Sequence, residues 1–122
     1  MTVLPYRATV AELGNELVLV SVSGELDLYV KPDLHASLIS ADDVPGSTVI
    51  VDLSGVSFLD STICGLLVAE ARRRRAERGD LALVSNGSHA TRALEVAGIN
   101  RVVPLYPTLH DALEALLEGA PR

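Results

Sequence analysis

Two short apolar runs, "TVIVDL" (48–53) and "LALVS" (81–85), constrain this chain more than any other feature. Each has strand length, is flanked closely by glycine, and carries apolar side chains at successive rather than alternate positions. Successive residues of a strand point to opposite faces, so a run that is apolar on both parities must be covered on both sides. A strand buried that way sits inside a sheet with helices packed on it, and the rest of the chain has to supply those helices.

It does so in alternation. "RATVAEL" (7–13) and "ELVLVSVSG" (16–24) read as two strands joined by a hairpin turn at Gly14-Asn15. "KPDLHASLIS" (31–40) reads as a helix, since Pro32 suits a first helical turn and Leu34 with Leu38 makes an i,i+4 apolar pair. Asp42 to Ser47, with Pro45-Gly46, reads as a loop. A second helix is expected from Asp60 or Ser61 to about Arg78, with Gly79 as its stop. Asn86-Gly87 turns the chain, Ser88 can cap a helix through Ala97, and Gly98 can end it. "RVVPLY" (101–106) is a short strand whose Pro104 lacks an amide, which suits a sheet edge. Thr108 with Asp111 resembles a capping box for a last helix to about Glu118, after which "GAPR" is expected to fray. The order β-β-α-β-α-β-α-β-α predicts an α/β fold. It is a single domain over residues 1–122, with a mixed β-sheet of about five strands and about four α-helices.

Composition narrows the function. Ten basic residues against sixteen acidic give a net charge of −6, the wrong sign for phosphate neutralisation, so no direct nucleic-acid binding is expected. Protein partners with basic patches are the easier expectation. The one cysteine, Cys64, excludes a disulfide framework and a thiolate metal cluster. No apolar run approaches the ~20 residues of a membrane span, and the start lacks a signal pattern, so an intracellular chain with no membrane partner is expected.

Residues that carry chemistry are sparse. His35, His89 and His110 fall in three separate predicted helices, none with a second histidine or a cysteine at i+3 or i+4, and no glycine-rich phosphate loop is present. Ser61 is not a hydrolase nucleophile elbow, because Leu59 and Ile63 stand where that motif needs glycine. Asp52, at a strand end, reads as a hydrogen-bond hub or, alternatively, as an aspartyl phospho-acceptor. Arg72 to Arg75 circle their helix axis instead of forming one basic face, and they complement the helix dipole. Some of their stems are expected on apolar surface with the charges in water. Cys64 reads as a small buried hydrophobe, with a thiol acidified by the helix N-terminus as the alternative. No enzyme, metal or cofactor is implied.

One stretch remains, "FLDSTICGLL" (58–67), which places Asp60, Ser61 and Thr62 between two apolar runs. Any of the three can cap the helix that begins there, but one cap needs one residue. A spare hydroxyl at a helix N-terminus sits where a phosphate is welcome to the backbone amides. The residues alone leave both readings open.

The longer segment "VDLSGVSFLDSTICGLL" (51–67) resembles the signature of the anti-sigma factor antagonists, the stand-alone members of the STAS domain family. That signature is a strand, a D-L-S/G-x-V-x-F-L/M turn, and D-S-[ST]-G-L-G-[VL]-L opening a helix. A second family mark, G-E-L-D, matches Gly24, Glu25, Leu26 and Asp27. The resemblance implies a STAS-like fold and a cytoplasmic, non-enzymatic switch. Unphosphorylated, such a protein binds an anti-sigma factor with serine protein kinase activity and so releases a sigma factor. Phosphorylation at Ser61, or at Thr62 beside it, turns it off, and a phosphatase resets the cycle. The implied partner surface comprises Glu25, Leu26, Asp27, Asp60, Thr62, Ile63 and Gly65. Ile63 and Cys64 depart from the family's Gly-Leu, and the β-branched Ile63 is expected where a partner would approach bare backbone. The alternatives are a ligand-binding or scaffold STAS module whose Ser61 is never phosphorylated, and a small phosphotransfer protein using Asp52.

Overall fold

A computed structural model describes residues 5–87 and 89–118, so the Ser88 cap and the "GAPR" tail lie outside the described residues. The strands are β1 (Arg7–Gly14), β2 (Leu17–Leu26), β3 (Thr48–Leu59), β4 (Asp80–Val84) and β5 (Leu105–Tyr106). The helices are α1 (Lys31–Ser40), α2 (Ser61–Ala76), α3 (His89–Val96) and α4 (Leu109–Glu118), with 3₁₀ turns at Ala41–Asp43 and Ile99–Arg101. The five strands form one sheet in sequence order; β1 runs antiparallel to β2, and all other neighbours are parallel. This is the mixed α/β architecture expected.

The two apolar runs are buried on both faces for the reason their pattern implied. Val49, Val51 and Leu53 of β3, with Leu81 and Leu83 of β4, enter a core shared with Leu34 and Leu38 of α1, Ile63 and Leu67 of α2, and Leu94 of α3. Ile50 and Val84 point to the other face, where Ala112, Leu109, Leu113 and Leu116 of α4 cover them. Each such side chain contributes roughly 1.5–3 kcal/mol by leaving water.

Several boundaries differ from expectation. The central residues of the hairpin are Asn15 and Glu16, both at positive φ, while Gly14 closes β1; a two-residue I′ turn needs that hand at both positions. β3 continues to Leu59 through the segment expected to turn, because register shifts between Ser21 and Ser23 and between Gly24 and Glu25 keep it paired with β2. β5 is only two residues long; Ile99–Arg101 forms a 3₁₀ turn and Val103 is buried in the core. Pro104, with no amide to give, accepts from the Leu83 amide at 2.9 Å.

α2 stops without glycine in the left-handed position. Arg78 takes it, and the Gly79 amide bonds back to the Arg74 carbonyl at 2.7 Å. Gly79 is needed instead for space, because a Cβ there would meet the Ser47 carbonyl at 2.5 Å. The arginine run also needs correction. Arg72 and Arg75 are exposed as expected, but Arg73 is half-buried and Arg74 buried. Arg74 is 4% exposed, held by Glu70 and Asp42 and donating to the Leu38 carbonyl. Arg73 bridges Glu70, Glu77 and Asp42, and Arg75 binds Asp80 and the Val102 carbonyl. The run is a clamp between α2 and the end of α1.

Candidate functional site at the carboxyl ends of the parallel strands

Three parallel strands, β2, β3 and β4, deliver their carboxyl ends to one edge of the sheet. In open α/β sheets that edge is where ligands and partners are met, because the loops leaving it are free of the sheet's hydrogen bonding. Here it carries the Asp27–Val30 turn after β2, the start of α2 after β3, and the start of α3 after β4.

The start of α2 resolves the polar trio. Asp60 is the N-cap: its backbone is extended, and its Oδ1 accepts from the Ile63 amide at 3.1 Å. Its carbonyl accepts from the Cys64 amide at 3.2 Å. The capping need is met by one carboxylate. Ser61 follows as the first helical residue, exposed, its hydroxyl engaged by no other described residue. Thr62 is half-buried. Gly65, one turn beyond Ser61 on the same face, is exposed, and a Cβ there would meet nothing within 4 Å.

The G-E-L-D segment lies alongside. Leu26 pairs with Leu59 at the end of β3, and its carbonyl accepts the Asp60 amide at 3.2 Å. Gly24 is required by its setting: its φ is +99°, and a Cβ would collide with the Pro5 carbonyl. Glu25 is half-buried and pairs with Phe58. Asp27 turns its carboxylate inward on its own loop, accepting from the Tyr29 amide at 3.0 Å and the Val30 amide at 3.3 Å.

Two expected surface residues are not on the surface. Leu26 and Ile63 are both 0% exposed and belong to the core. Ile63 therefore stands in no partner's way; the core absorbs the departure from the family's glycine. Cys64 is buried too, and desolvation followed by the charge of Asp60 pushes its thiol above its ordinary pKa. The acidified-thiol alternative is thus overturned, since burial outweighs the helix N-terminus. Asp52 is a hydrogen-bond hub, its Oδ1 taking both the amide and the hydroxyl of Ser54.

Sequence reasoning missed the apolar members of this edge. Leu28 is 61% exposed and Tyr29 88% exposed, and the exposed ring of Phe58 stacks on His89 with centroids 5.5 Å apart. The signal was available: the chain has three tyrosines, one phenylalanine and no tryptophan, and the sole phenylalanine lies within one family mark while a tyrosine closely follows the other. Aromatic side chains are core material, and in a chain so poor in them the exposure of two beside the family marks stands out.

The STAS domain profile matches residues 8–112. Rv2638 of Mycobacterium tuberculosis is 34% identical over 95% of this chain and 79% of its own length. The anti-sigma-F factor antagonist RsfB of the same species is 30% identical over 91% of this chain and 89% of its own. The crystal structure of an anti-sigma factor antagonist from Mycobacterium paratuberculosis superposes with a TM-score of 0.83 at 32% identity, covering 93% of this chain and 95% of that one. Among the described residues no helix is long and apolar enough to cross a membrane.

Proposed function

Because this chain belongs to the STAS domain family, among its stand-alone anti-sigma factor antagonists, we propose that it binds an anti-sigma factor and that phosphorylation of Ser61 ends the binding. The partner is an anti-sigma factor with serine kinase activity, a phosphatase reverses the modification, and the chain itself performs no catalysis. One observation carries the reading: Asp60 caps α2, which leaves the Ser61 hydroxyl exposed and free to be modified. The name of RsfB, an antagonist of an anti-sigma factor, supports the choice of partner.

The physics of the switch is sufficient. A phosphoserine adds about −1.5 to −2 charge together with a large desolvation demand at a contact surface. A hundredfold loss of affinity needs only about 2.7 kcal/mol. The helix tolerates the new group, since negative charge at its first turn complements the macrodipole. Modification therefore acts on the interface and leaves the fold in place.

The test starts with a pull-down by the unmodified protein, expected to capture an ATP-binding anti-sigma factor. Incubation of the pair with ATP should then yield one phosphoserine by mass spectrometry, at residue 61. Ser61→Ala should take up no phosphate and keep binding; Ser61→Asp should bind weakly. Stoichiometric modification of Ser61→Ala would move the assignment to Thr62. Binding without any modification would make the chain a scaffold module instead.

A further inference from the structure

The Asp27 carboxylate, expected on the partner surface, is already occupied. Its Oδ1 receives the amides of Tyr29 and Val30, while the Asp27 carbonyl also accepts the Val30 amide at 3.2 Å. The Val30 carbonyl in turn accepts the Leu34 amide at 2.9 Å, so the same turn launches α1. A side-chain oxygen that collects the amides two and three residues on folds an Asx turn. The two residues inside this turn are Leu28 and Tyr29, both held outward into solvent.

We propose that Asp27 is a positioning residue, whose turn presents Leu28 and Tyr29 as the apolar anchors that the anti-sigma factor receives. The inference rests on the function proposed above and names the contact through which it works. Its occupant is set by continuity: the Asp60 amide to Leu26 carbonyl bond places this turn directly beside Ser61, so a partner that reads one covers the other. Charge agrees with a basic partner, because Glu25 precedes the turn at the end of β2 and the Asp60 cap is bonded to Leu26 at its base. Exposure of this size serves no folding purpose, since burial is what makes apolar side chains stabilising. Tyrosine is among the side chains that dominate interface energetics, and a turn folded in advance spares the partner the ordering cost. A phosphate on the neighbouring serine would then sit at the edge of an apolar contact, where an unpaired charge is least tolerated.

The experiment measures affinity for the anti-sigma factor captured by the wild type, across a panel of variants. Tyr29→Ala is expected to weaken binding about thirtyfold or more, as for an interface hot spot. Leu28→Ala should weaken it about tenfold, and the remote exposed Val96→Ala should leave it unchanged. Asp27→Ala should lose about tenfold together with protection of the Tyr29 and Val30 amides from hydrogen exchange. Asp27→Asn, whose amide oxygen can still accept both bonds, should restore binding, its salt dependence and that protection. If Asp27→Asn binds as poorly as Asp27→Ala while keeping amide protection, Asp27 is read as a charge and the positioning role falls. If Tyr29→Ala and Leu28→Ala bind like wild type while Ser61→Asp does not, the anchors are wrong and the switch stands. A wild type that captures no anti-sigma factor overturns both.

Discussion

The amide of Asp60 donates to the carbonyl of Leu26 across 3.2 Å, joining the last residue of β2 to the residue that caps α2. Two sequence marks far apart in the chain become one edge through that bond. It also divides the labour there: Asp60 stabilises the helix and Ser61 is left available.

Asp60→Ala should lower stability by about 1 kcal/mol, the usual loss when a side-chain cap is removed. Asp60→Asn should lose far less, since the amide oxygen can accept from the Ile63 amide. Urea denaturation checks both. Equal loss in the two variants would mean that charge, not capping, is what Asp60 supplies.

Ile63→Gly should destabilise by roughly 3–6 kcal/mol, combining removal of a fully buried side chain with glycine's poor helix propensity. Restoring the family's glycine should not speed phosphorylation of Ser61, because Ile63 presents nothing to a kinase. A folded Ile63→Gly variant phosphorylated faster than wild type would contradict this.

Gly65→Ala should do the opposite. The helix gains about 0.5–1 kcal/mol, since a Cβ at this position has open space and ordinary helical backbone. Affinity for the anti-sigma factor should fall, because the added methyl stands one turn from Ser61 on the same face. A variant both more stable and equally tight would remove Gly65 from the interface.

Arg74→Ala should cost about 1–3 kcal/mol, because the buried Glu70 keeps Arg73 but loses Arg74, and the Leu38 carbonyl loses a charged donor. Replacing both, as Arg74→Met with Glu70→Leu, should recover most of that loss. Arg72→Ala should stay within about 0.5 kcal/mol. Thermal or urea melts of the four proteins read this directly, and a double variant no more stable than Arg74→Ala would refute a coupled buried pair.

The raised Cys64 thiol makes stability fall on the alkaline side. The unfolded chain releases this proton at the ordinary thiol pKa, whereas the folded chain holds it to higher pH. Over that interval the folded state binds more protons, so stability declines as pH rises and is fully present below it. Cys64→Ala should show a shallower alkaline decline than wild type in denaturation at a series of pH values. Parallel curves would show that the thiol titrates alike in both states.

The order of elements, the double-faced burial of β3 and β4 and the position of the helix carrying Ser61 followed from the sequence alone. All are local: side-chain periodicity and helix-start chemistry act within a few residues of chain. Tertiary approach decided the rest. Which of three polar residues caps α2, whether Ile63 faces a partner or the core, and whether Arg74 meets water or Glu70 and Asp42 depend on what another element brings within a few ångströms. The Asp27 turn shows the division most plainly. "GELD" marked the place, but a carboxylate can bind its own backbone or face a partner at equal sequence, and only the fold of the loop chose its backbone.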